Sequence, residues 1–153
     1  MPANRESLLA GRNAQPLDDQ GVRRAYNTFL GLDSKAPVRH EPGARTCFRV
    51  TLDEQGAEVT EIVFGSDIYP GIGVVDPNSS LSVQAAAAHE LSHYYRWYDK
   101  TELSQEQLAE IDEALASLEA ILRFQKQLSE HEIRQLVSDA IQRLQLYAQK
   151  NTE

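Results

Sequence analysis

His89, Glu90 and His93 form an H-E-x-x-H string near the midpoint of a 153-residue chain that holds only four histidines. On an α-helix, residues four apart lie one turn apart on the same face. Two imidazoles so placed can grip one metal ion. Glu90, about 100° around the helix from His89, then reaches a water on that metal as its general base. A catalytic zinc takes three protein ligands and leaves a fourth position open. The string therefore requires a third ligand, a carboxylate or a histidine, from another element.

The elements around the string are the ones that must position it. Four consecutive alanines, Ala85 to Ala88, favour helix strongly and allow a neighbour to come close. Ser79 or Ser80 is the expected cap of a helix from about Leu81 to Trp97. Downstream, Ser104 with Gln107 resembles a capping box, opening a helix whose apolar stripe is Leu108, Ile111, Leu115, Leu118 and Leu122. That helix offers five acids, Glu106, Glu110, Asp112, Glu113 and Glu119. Glu113 points almost opposite the leucine stripe, among Ala109, Ala116, Ser117 and Ala120. A solvated face would carry long charged side chains, so an acid framed by alanine and serine points to a close neighbour. Glu113 is the expected third ligand, and Glu110, roughly 60° away around the helix, is its rival.

The rest of the chain supplies a scaffold. Asp18 or Asp19 caps a helix to about Leu30, with Gly31 as its stop, and residues 31–43 read as loop. Alternation over Thr46–Leu52 and Val59–Phe64 predicts two strands joined at Asp53-Glu54-Gln55-Gly56. Ile72 to Val75 reads as a short further strand. Ser129 and Glu132 form a capping box for a last amphipathic helix carrying Ile133, Leu136, Val137, Ala140, Ile141, Leu144 and Ala148. Residues 1–17 read as a polar N-terminal arm and 18–153 as one domain. A hairpin followed by helices is an α+β order. The expectation is a small antiparallel or mixed sheet, its hairpin packed on the active-site helix, with two further helices after it.

Composition narrows the function classes. The formal net charge of −8 argues against a nucleic-acid partner, which usually meets a basic patch. Cys47 is the only cysteine, so the chain cannot close an internal disulfide, and it reads as an ordinary thiol in a strand. No apolar run approaches the roughly 18 residues of a membrane span, and the first residues lack the apolar core of a signal peptide. A cytoplasmic protein without a membrane partner is expected.

His89-Glu90-x-x-His93, followed after twenty residues by Glu113-Ala114, resembles the gluzincin branch of zinc metallopeptidases. The string Ile111-Asp112-Glu113-Ala114-Leu115-Ala116-Ser117 is similar to that group's Glu-Ala-x-x-x-Asp signature, with Ser117 in place of the aspartate that orients a metal-binding histidine. The small size also resembles minimal gluzincins and the ImmA/IrrE-like peptidases. The resemblance covers about residues 57–122. It implies a zincin-like fold and one Zn²⁺ per chain on His89, His93 and Glu113. It also implies hydrolysis of a peptide or protein substrate, with Glu90 taking a proton from the metal's water.

An edge strand, Glu58 to Phe64 or Ile72 to Val75, is the expected platform for an extended peptide. Ser117, Arg96 and Tyr95 are candidates for supporting a ligand or the oxyanion, alongside Tyr94, Tyr98, His40 and His131. The competing expectation is a catalytically silent or latent zincin-scaffold module that binds a protein partner through its C-terminal helix. Retention of Glu90 favours the enzyme, because a purely structural zinc site has no use for a general base.

Overall fold

In a computed structural model, residues 12–71 and 81–151 are described. They form an α+β arrangement of four helices and a three-stranded mixed sheet. Helix α1 (Asp19–Leu32) is capped by Asp18, whose carboxylate accepts from the Gly21 N–H at 2.7 Å. Gly31 lies inside the helix rather than ending it; Asp33 closes the last turn through its N–H to the Phe29 carbonyl.

The stretch expected as loop holds strand β1 (Val38–His40), which pairs in parallel with β3 (Glu58–Phe64). Three residues are too few to show a period, and their strand state comes from the partner. Strand β2 (Cys47–Leu52) pairs antiparallel with β3, with Cys47 opposite Val63 and Leu52 opposite Glu58. Gly56 takes a φ of 80° in the connecting turn, and the Asp53 carboxylate receives the N–H groups of Gln55 and Ala57 at 2.9 Å each. The strand order β1-β3-β2 puts Glu58–Phe64 in the centre, so it offers no edge for an added strand; β2 is the free edge on that side. The expected strand at Ile72–Val75 and the expected caps Ser79 and Ser80 lie outside the described residues.

Helix α2 (Val83–Tyr98) carries the histidines. Its cap is Ser82, whose hydroxyl oxygen accepts from the Ala85 N–H at 3.0 Å. Helix α3 (Ala109–Arg123) follows a single 3₁₀ turn at Glu106–Leu108 and has no side-chain cap, so the Ser104–Gln107 box does not form. The Ser129–Glu132 box does form. The Glu132 N–H reaches Ser129 Oγ at 3.1 Å and the Ser129 N–H reaches Glu132 Oε1 at 3.0 Å, opening α4 (Glu130–Asn151). Glu132 and Gln135 also receive the hydroxyl and backbone N–H of Ser82, which ties the start of α4 to the start of α2.

The core lies between the sheet and these helices: Phe29 of α1, Ile62 and Phe64 of β3, Ala85–Ala88 and Leu91 of α2, and Phe124, Leu128 and Leu136. The face of α3 that is buried is the small one, Ala114, Ala116, Ser117 and Ala120. The leucine stripe is the more open side, with Leu118 exposed and Leu122 70% exposed. Arg12, part of the stretch expected as an arm, donates to the carbonyls of Asp67, Ile68 and Leu81 and forms a β-bridge with Pro70.

A Cβ at Gly65 would stand 1.9 Å from the Ala44 carbonyl oxygen, whereas one at Gly31 meets nothing within 4 Å. Gly65→Ala is expected to cost more than about 2 kcal/mol. Gly31→Ala should stabilise by up to about 1 kcal/mol by removing glycine's extra unfolded-state freedom. Denaturant midpoints of the two variants check both signs.

Candidate metal centre

Helical geometry brings His89 and His93 to one face of α2, and α3 presents Glu113 to both. His89 Nε2 lies 2.8 Å from Glu113 Oε2, His93 Nε2 lies 2.9 Å from the same oxygen, and the two Nε2 atoms are 3.1 Å apart. These three form the group found among the described residues that could hold a metal ion. Ligand atoms arranged tetrahedrally at about 2.0–2.1 Å from a zinc ion sit roughly 3.3 Å from one another. The trio is thus within about half an ångström of a zinc-ready spacing, and two nitrogens with one carboxylate oxygen are donors that zinc accepts. Glu110 is elsewhere: its carboxylate takes Lys150 at 3.1 Å and faces Arg143 at 3.9 Å. Between the two acids offered by the sequence, geometry selects Glu113.

The remaining nitrogens are also engaged. His89 Nδ1 is 2.7 Å from Ser117 Oγ, and the Ser117 hydroxyl donates to Asp139 of α4 at 2.6 Å. His93 Nδ1 faces Asp112 Oδ2 at 3.6 Å. Asp112 is held in turn by the Leu103 N–H at 2.8 Å and by the guanidinium of Arg96 at 2.6 Å.

Glu90 is half-buried and makes no hydrogen bond with the described residues. Burial raises its pKa above the ordinary carboxylate value; Glu113 adds to the rise, while His89 and His93 oppose it. Burial alone would favour a neutral His93 ring, but the Glu113 carboxylate outweighs it. With Glu90 and Asp112 it pushes His93 up to about 9. Burial likewise opposes ionisation of Glu113, yet the two histidines hold it well below the usual carboxylate range. His93 is thus favoured as a cation between two half-buried acids, Glu90 and Glu113, a place that would suit a divalent ion.

A cleft of about 370 Å³ opens onto this cluster, lined by His89, Glu90, His93 and Glu113, by Arg45 and Thr46 just before β2, by Cys47 and Phe48 at its start, and by Arg143 from α4. Asp67 pins the start of β2 beside the cleft, taking the Thr46 N–H at 3.0 Å and its hydroxyl at 2.6 Å. Burial, with the nearby Glu90 charge, raises the pKa of the Cys47 thiol and keeps it protonated. Arg143 is held by Asp139 at 3.4 Å and lies 3.8 Å from Glu113.

Of the residues expected to support a ligand or the oxyanion, Ser117 touches a histidine and the others do not line the cleft. Arg96 is buried beneath it, bridging Asp112 at 2.6 Å and Glu119 at 2.7 Å. Its place on the histidine face directs it into α3, because the long side chain runs past the ligands to these acids. The Tyr95 hydroxyl donates to Asp33, on the α1 side of the helix. Tyr94 packs on Phe48, His40 packs against Phe64, Tyr98 is exposed, and His131 contacts Gln135. Asp139, Arg143 and Arg45 join the site unforeseen. The i, i+4 spacing of Asp139 and Arg143 was visible, but it is shared by ordinary surface ion pairs.

Arg96→Met leaves two acids without their buried cation and is expected to cost about 3–5 kcal/mol of folding stability. Arg96→Lys should recover only part, because a point charge cannot span both carboxylates. Chemical denaturation of the three proteins measures the difference.

No family model matches this chain, and neither a curated protein nor a solved structure matches it. What the cluster can do chemically rests on its own geometry.

Proposed function

We propose that this protein is a zinc-dependent metallopeptidase of zincin-like fold, with His89, His93 and Glu113 as ligands and Glu90 as general base. The observation that carries the reading is the meeting of three candidate ligand atoms within 3.1 Å of one another in an open cleft, beside a half-buried Glu90 that makes no hydrogen bond among the described residues. A closed structural site would fill its fourth position and would not place an uncommitted carboxylate next to it.

A zinc ion held there supplies Lewis acidity, polarising a carbonyl and acidifying water. Glu90 supplies proton transfer: it accepts a proton from the attacking water and delivers it to the leaving amine. Its raised proton affinity suits a base that must give the proton back. The free edge of β2 borders the cleft through Thr46, Cys47 and Phe48, and an extended peptide added there would cross the cluster. The cationic donors that line the cleft among the described residues are Arg45 and Arg143. Arg143 is fixed by Asp139 and is the one assigned to hold the oxyanion.

Metal analysis of the purified protein is expected to find about one zinc per chain and none in His93→Ala. Glu90→Gln should retain the metal while cleavage of a peptide library falls by more than about 100-fold. A metal-free wild type, or a Glu90→Gln protein as active as wild type, would sink the proposal.

Zinc uptake also has a pH signature. His93 must be neutral to bind, and in the metal-free protein its pKa is about 9. Uptake at pH 7 should release at least one proton, and the apparent affinity should climb by about a factor of ten per pH unit up to pH 9. Calorimetric titration in two buffers of different ionisation enthalpy reads the proton count.

A further inference from the structure

A metal-binding histidine is held in register by what its second nitrogen meets, most often a carboxylate or a backbone carbonyl. His89 meets neither; its Nδ1 is 2.7 Å from the hydroxyl of Ser117, a neutral group. Ser117 is fully buried, and its hydroxyl lies 2.6 Å from Asp139 Oδ2. A serine hydroxyl has one proton to donate and lone pairs to accept with. The ionised Asp139 can only accept, so the hydroxyl proton goes to it. The serine oxygen is then left to accept from His89 Nδ1–H. That order puts the His89 proton on Nδ1 and frees the Nε2 lone pair, the atom that faces His93 and Glu113.

Asp139 comes from α4, more than twenty residues beyond Ser117. Arg143, one turn further along the same helix, holds it at 3.4 Å and stands 3.8 Å from Glu113. A carboxylate therefore serves His89 from a distance, through a hydroxyl.

We propose that Asp139 is a positioning residue for the metal centre, acting through Ser117 to fix the His89 tautomer and strengthen metal binding, so that α4 is part of the site rather than a flank to it. The inference rests on the zinc reading above. In series, the two residues behave as one device: breaking either link removes the same benefit, and breaking both costs little more.

The test is zinc affinity, measured on the full-length chain by competition with a chromophoric chelator, independent of any substrate. Asp139→Asn keeps the shape and removes the charge. It should weaken zinc binding about 10- to 100-fold, as should Ser117→Ala. The double variant should lie within about threefold of the weaker single one, a strong departure from additivity. Ser117→Asp placed in the Asp139→Asn protein should restore most of the affinity by bringing a carboxylate directly to His89. Thermal melts of the metal-free variants separate a loss of fold from a loss of affinity, and the d–d absorption of the cobalt-loaded proteins reports the ligand field at His89. An Asp139→Asn protein that folds and binds zinc within twofold of wild type would overturn the relay and leave the metal centre standing. Additive losses in the double variant would overturn it as well. A wild type that takes up no zinc would overturn both the relay and the proposed function.

Discussion

Close approach of α2 and α3 through small side chains is the constraint on which the rest of the site depends. Glutamate is a short reach, and Glu113 meets both histidine rings at under 3 Å only because the helix bearing it comes near. Ala85 to Ala88 and Ser92 are buried on α2, and Ala114, Ala116, Ser117 and Ala120 are buried on α3. Leucines in those places would hold the axes apart and leave the acid stranded. The same proximity lets Ser117 touch His89 and lets Arg96 pass across to Asp112 and Glu119. A helix pair joined by these five hydrogen bonds has little freedom to slide, which suits the proposed metal centre.

That stitching carries an electrostatic cost that the fold meets by alternation. Buried acids repel one another and resist ionisation. Here each is set against a cation or a ring that can become one: Glu113 against His89 and His93, Asp112 against Arg96, Asp139 against Arg143. Glu90 is the exception, half-buried without a hydrogen-bonding partner among the described residues, and its desolvation raises its pKa.

Much of this was legible in the residues. Asp18 and the Ser129–Glu132 box are local devices, decided within one turn, and both form. The hairpin follows from strict alternation and a glycine able to take positive φ. The choice of Glu113 followed from its alanine and serine neighbours. The leucine stripe of α3 showed an amphipathic helix, but a period does not say how deeply each face is covered. Here two helices prefer the small side, and Leu122 stays exposed. The Ser104–Gln107 box failed because a 3₁₀ turn intervenes before α3. Strand β1 escaped notice because its only support is β3, twenty-odd residues later.

By itself the sequence determined the helices, the hairpin and the local facing of His89, Glu90 and His93, since one helical turn dictates where i and i+4 point. It determined the acid most suited to join them, through the size of the residues around it. Tertiary structure alone decided the rest. It made β2 the open edge, directed Arg96 into a buried bridge, and brought Asp139 and Arg143 from the last helix to the histidine and the cleft. These are contacts between residues far apart in the chain. No spacing encodes them, because the distance between two helices is set by everything packed between them.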